Sequence, residues 1–295
     1  MVKYSNFAIV ASFFGLWINS YFPAEIQVFV GFALILSFGI LHGANDVALI
    51  SNVNSSNKTL RFSKILTYYL VIVLSGAAMF YLVPWLALAL FIMVSGYHFG
   101  EQQWNEKLLN TYKPIKFFFQ SFYGLLILFL LFLFHTIEVQ KVILVITEIE
   151  VPIYYFFVAF KTIVTLYLLL SLYLYFELKT FKLYFFLELF YLLVFTILFK
   201  ASSLIWGFAL YFIFWHSIPS IMDQIKFLFG KATLDNFKLY CRSAFVYWIV
   251  SLAGIFLLYF IFKGEKIFNA LFFSFLASIT FPHVLVIQKM FGRNK

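Results

Sequence analysis

Long apolar runs, separated by short polar breaks, follow one another along the whole chain. A helix needs about 20 mainly apolar residues to cross a hydrocarbon core roughly 30 Å thick. The runs at about 6–22, 27–50, 65–83, 85–100, 117–135, 151–176, 184–199, 202–218, 244–262 and 268–288 therefore predict ten spanning helices. The weakest separations fall at Pro84 and at Ala201-Ser202. The stretch 136–150 is apolar only between Val142 and Ile146, among Glu138, Lys141, Glu148 and Glu150, and reads as a segment lying in the interface. The pattern gives an all-α, polytopic integral membrane helical bundle, with residues 1–295 forming a single membrane-embedded domain. No soluble domain, long linker or internal repeat is evident.

The basic residues orient this bundle, because cytoplasmic loops are enriched in Lys and Arg. With the N-terminus inside, sixteen of the 21 fall in inner segments. Lys141, Lys200, Lys263 and Lys266 lie in outer loops, and Lys161 lies within a span. Ten spans with both termini cytoplasmic give this bias, and nine would scramble it. A multi-pass protein of the cell membrane (inner or plasma) is expected. The first apolar run continues into Trp17, Tyr21 and Phe22 without an A-x-A-like site, so no cleaved signal peptide is expected.

Composition removes the other broad classes. Of the residues, 64% are hydrophobic and 11% charged, against about 25% charged in a soluble domain. A water-soluble domain, a disordered chain and a nucleic-acid binder are excluded, and the net charge of +9 reports topology. Cys241 is the only cysteine, so no intrachain disulfide is possible. The 44 Phe suit a lipid-facing surface and an apolar ligand equally well.

Against so apolar a background, polar residues inside spans mark function. His42 stands in LHGAND, His98 in SGYHFGEQQ, His216 in FWHSIPSIMDQ and His283 in TFPHVLVIQK. All four spans run from outside to inside, and each His lies roughly 5–14 Å inward from the polar residues that follow it, at about 1.5 Å per residue. His135 ends the fifth span at the opposite face and is expected to be interfacial, hydrogen-bonded to backbone or water. Any one histidine near a helix end reads the same way, but four at similar depth point to a shared metal, since neutral imidazole is the commonest protein metal ligand.

The flanking residues fit that reading. Asp46, one helical turn after His42, is placed to orient it. Glu101 follows His98 by three and can do the same or stand exposed at the helix end. Gly39 and Gly43 form a small-xxx-small pair that lets another helix approach closely. Pro219 and Pro282 either re-aim His216 and His283 or mark where their spans end. An all-imidazole site suits iron, copper or zinc about equally. Lys161 and Glu188, both within spans, can pair or Lys161 can snorkel; with the same intramembrane histidines they support an alternative, a membrane transporter or channel for a metal ion or proton. A di-iron oxidase or a zinc hydrolase acting on lipid is a third reading.

Together, HGANDVALI, HFGEQQ, HSIPSI and FPHVLV resemble the Brp/Blh family of bacterial and archaeal membrane proteins, the β-carotene 15,15'-dioxygenases. The resemblance covers essentially the whole chain in size, span count and motif order. It implies cleavage of the central double bond of β-carotene by O2 to give two all-trans-retinal, at a non-haem Fe(2+) held by histidines. Carried over by motif, His42, His98 and His216 are the matching ligands. The family pattern has a second histidine one turn after the one matching His216, where this chain has Ser220. Either His283 completes the shell, or a water held by Ser220 does, or the site is altered. No acid–base catalyst is needed in that scheme. Membrane lipid would surround the substrate, and a retinal-binding rhodopsin is the product acceptor that the resemblance implies.

Overall fold

In hydrocarbon a backbone N–H or C=O has no water to bond, so an apolar run must satisfy its polar groups within itself, and the α-helix does this. The computed structural model obeys that rule. It describes residues 2–54, 62–261 and 265–293, is about 90% helical and has no strand among them. In chain order the helices are α1 (Val2–Asn19), α2 (Ala24–Leu34), α3 (Ile40–Gly43), α4 (Asp46–Asn54), α5 (Phe62–Leu82), α6 (Pro84–Trp104) and α7 (Lys113–Phe134). Next come α8 (Thr136–Thr147), α9 (Ile153–Glu177), α10 (Lys179–Lys200), α11 (Leu204–Tyr211), α12 (Ile218–Phe229), α13 (Leu234–Ile261) and α14 (Glu265–Arg293).

Eight helical segments among the described residues are long and apolar enough to cross a membrane. Two of them, Ala24–Asn52 and Leu204–Phe229, run through several helices and the turns between them. The first and fourth expected runs form α1 and α6. The weak separations are real turns: Pro84 opens α6, and Ala201–Ser203 divides α10 from α11. Helix α8 has 12 residues, about 18 Å at 1.5 Å each, which is too short to span. Of the basic residues that orient the chain, Lys58, Arg61, Lys263 and Lys295 lie outside the described residues.

The chain groups into two compact units. The first takes Met1–Ile35, Ile92–Ile143 and Glu150–His216. Its core is aromatic: Trp104, Phe119, Tyr123, Tyr167, Phe181, Phe195 and Phe199 are fully buried. Trp104 stacks on Phe181 at 5.2 Å and meets Phe119 edge-on at 4.9 Å. Helices α6 and α7 cross there with almost no space between backbones. A Cβ added at Gly100 would fall 1.8 Å from the Gln120 carbonyl oxygen, and one at Gly124 would fall 1.8 Å from that of Gly96. Only hydrogen fits at such a crossing.

The second unit takes Leu36–Phe91, Leu144–Ile149 and Ser217–Lys295. Here α14 packs on α3, α4 and α5, while α13 packs on α3, α12 and α14. Leu49, Val286, Ile287, Met290 and Phe291 form one buried cluster, and Ile221, Ile225 and Tyr240 form another. Pro282 lies inside α14 rather than at its end. It lacks the N–H that would pair with the Ser278 carbonyl. Pro219 falls at the start of α12, inside the continuous helical run Leu204–Phe229, and removes a backbone donor there. Large apolar side chains such as Phe29, Tyr81, Leu82 and Leu183 stand exposed, as hydrocarbon solvent permits.

The buried glycines of the two units differ in what they require. At Gly43 a Cβ would meet its nearest neighbours at 3.8 Å, an ordinary contact. Gly124→Ala is therefore expected to abolish recovery of folded protein in detergent, while Gly43→Ala is recovered and melts near wild type. Size-exclusion yield and thermal melts check both. Equal loss in the two variants would contradict the close-crossing account.

Candidate functional site

Two helices of this chain break their α-helical winding just before or at a histidine. A π-helical turn at Ile35–Gly39 precedes His42, and another at Phe212–Ser217 contains His216. A π turn inserts one residue into the i→i−4 ladder and rotates the residues after it, and such turns concentrate at functional sites.

In the second unit the winding fails again at Ala44–Asn45, between α3 and α4. A broken helix leaves carbonyls to be satisfied by something else. Gln224 Nε2 donates to the His42 carbonyl at 2.8 Å, and the Tyr240 hydroxyl lies 3.3 Å from the carbonyls of Leu41 and His42. Tyr240 OH also donates to Gln224 Oε1 at 2.8 Å. Asn45 donates to the Tyr240 carbonyl and accepts from Ser243 at 2.7 Å. Helices α12 and α13 thus clamp the break that sets the direction of the His42 side chain.

The His42 ring meets His283 of α14 edge-to-face, with centroids 4.6 Å apart at 88°. Asp46 Oδ1 lies 2.8 Å from His283 Nδ1, and Tyr69 OH donates to Asp46 Oδ2 at 3.0 Å. The carboxylate expected to orient His42 is bonded to His283 instead. The turn at Ala44–Asn45 separates Asp46 from the helix of His42 and removes the one-turn relation that would have aligned them. Ser220 is buried and accepts from Gln224 Nε2 at 3.1 Å.

In the first unit His98 of α6 and His216 meet the same way, with centroids 4.7 Å apart at 79°. Phe212 stacks on His216 at 5.4 Å and Phe99 packs on it at 4.7 Å, so apolar rings wall this pair. All four histidines are buried. Glu101 is buried too, not an exposed helix end, and Tyr97 OH donates to it at 2.7 Å. His135 donates from Nε2 to the Phe199 carbonyl at 3.0 Å, with Nδ1 3.0 Å from Glu138.

The ion pair of the first unit is not the one the sequence suggests. Lys161 is exposed on α9, whereas Glu188 is fully buried on α10 and pairs with Lys107 at 2.5 Å. Gln103 and Tyr123 donate to the same carboxylate at 2.8 Å. Lys107 comes just after the end of α6 and reads as a loop residue, so periodicity gives no hint of the pairing. Tyr69 and Gln224 also escape a reading of the sequence. Gln224 carries a weak signal, since it stands one turn after Ser220.

Each pair offers imidazole nitrogens and no thiolate, donors that suit a divalent transition metal of borderline softness.

Removing one partner of a buried ion pair costs about 3–5 kcal/mol because the other charge stays buried. Lys107→Met and Glu188→Gln are each expected to lower the melting temperature strongly, and the double variant by less than the sum. Thermal unfolding in detergent measures this, and additive losses would show that the pair is not coupled.

A family model described as beta-carotene 15,15'-dioxygenase matches residues 33–291 and so takes in all four histidines. No curated protein and no solved structure matches the chain. The match spans most of the sequence, and the chain belongs to the β-carotene 15,15'-dioxygenase family.

Proposed function

We propose that this membrane protein cleaves the central double bond of β-carotene with O2, giving two molecules of all-trans-retinal, in an Fe(2+)-dependent reaction with His42, His98, His216 and His283 as metal ligands. The observation that carries the reading is the pairing of buried imidazoles, His42 with His283 and His98 with His216, in a chain of this family. A ferrous ion so held would supply the activation of O2.

The chain's own residues do the rest. Phe99 and Phe212 give the His98–His216 pair apolar walls, which suit a hydrocarbon polyene. Tyr240 and Gln224 hold the His42 backbone. Of the alternatives for the fourth donor, His283 is favoured. It faces His42 and is held by Asp46, while Ser220 is taken up in a hydrogen bond with Gln224. The reaction is balanced: one C=C breaks, two C=O form, and both atoms of O2 enter product. Substrate and O2 both concentrate in hydrocarbon, so the membrane delivers them and receives retinal, which a retinal-binding rhodopsin would take up.

Expression in cells that make β-carotene tests the activity. Loss of orange colour with recovery of retinal is expected, and retained colour without retinal overturns the proposal. His42→Ala and His98→Ala are expected to abolish retinal while the protein still inserts. Purified protein should carry about one iron per chain. Iron content should fall in His283→Ala and hold in Ser220→Ala; the reverse would place the fourth donor at Ser220. Zinc in place of iron would favour a hydrolase, and metal flux in proteoliposomes a transporter.

A further inference from the structure

In the second unit, Tyr69, Asp46 and His283 form a hydrogen-bonded chain that crosses three helices. Tyr69 is on α5, Asp46 opens α4 and His283 lies in the C-terminal half of α14. The Asp46 and His283 side chains are 1% and 3% exposed. A buried carboxylate is costly unless its oxygens are paired. Here each oxygen has one partner: Oδ1 faces His283 Nδ1 at 2.8 Å and Oδ2 accepts from Tyr69 OH at 3.0 Å. Asp46 also occupies the first position of its helix, where the backbone dipole favours negative charge.

We propose that Asp46 and Tyr69 are positioning residues that lock His283 in its Nδ1–H tautomer, so that Nε2 is the nitrogen offered to a metal. An ionised carboxylate can only accept a hydrogen bond, so the proton between Asp46 and His283 sits on Nδ1. The neutral ring then carries its lone pair on Nε2. Tyr69 fixes the rotation of the carboxylate by engaging the second oxygen, and this keeps Oδ1 aimed at the ring. His42 packs edge-on against the same ring, so the aim of His283 is set from both sides. This inference rests on the metal-binding reading of His283, but the tautomer it names can be observed without metal.

Nitrogen NMR on full-length protein labelled at histidine, in lipid nanodiscs, tests it, with His283 identified by the signal lost in His283→Gln. Protonated Nδ1 and unprotonated Nε2 are expected in the metal-free protein. Both nitrogens protonated, or Nε2 alone, overturns the proposal, since the pair would then be a structural ion pair or the wrong tautomer. Asp46→Asn keeps the shape but permits the other tautomer. It is expected to shift the His283 signals and to weaken Zn(II) binding, measured by chelator competition, about 10- to 100-fold. Tyr69→Phe keeps the ring and is expected to move both readouts the same way by less. Unchanged signals in both variants overturn the proposal even if the melts fall. A wild type that shows the expected tautomer but binds neither Zn(II) nor iron sinks the metal reading and leaves the Asp46–His283 lock standing.

Discussion

A polar group inside a hydrocarbon layer has no water to bond, so each one must find its partner in the protein. The arrangement around the histidines is a consequence of that constraint. The helix containing His42 stops at Ala44–Asn45, and a stopped helix strands carbonyls and an amide side chain. Tyr240, Gln224 and Ser243 answer them. Glu188 is answered by Lys107, Gln103 and Tyr123, and Asp46 by His283 and Tyr69. A satisfied network of this kind is rigid, because any rotation leaves a polar atom without its bond. Such rigidity suits the metal-binding role proposed for the histidines, since metal donors must arrive at fixed distance and angle.

The departures from regular helix serve the same end. A straight helix offers only the faces that 3.6 residues per turn allow. The π turns at Ile35–Gly39 and Phe212–Ser217 change that phase next to His42 and in the segment that bears His216. Pro282 loosens α14 one residue before His283. Each feature costs a backbone hydrogen bond, and three of the four histidines stand beside one. At His98 the device is different: Gly96 and Gly100 flank it, and α7 comes in against the bare backbone so closely that no Cβ fits.

Much of this is legible in the sequence, for a physical reason. Bilayer thickness fixes the length of an apolar run, so the spans declare themselves, and even the thin separations at Pro84 and Ala201-Ser202 hold as turns. The histidines stand out because polar residues are scarce in such segments. Their partners do not. One-turn spacing matches Asp46 with His42, a rule that holds only while the helix continues, and the turn at Ala44–Asn45 breaks it. Glu188 and Lys161 both lie in spans and invite pairing, but a lysine from just beyond a helix end reaches the carboxylate instead. Glu101 reads either as a partner of His98 or as an exposed helix end, and burial removes the second reading.

The chain by itself therefore determined the class and the helical content, and it made the buried histidines stand out. These depend on transfer energies and on periods that act locally. Only the tertiary structure decided which donor meets which acceptor. Tyr69, Asp46 and His283 are far apart in sequence, and no local pattern relates them. The packing of α4, α5 and α14 brings them together, and a hydrogen bond depends on distances that sequence spacing does not encode across separate helices.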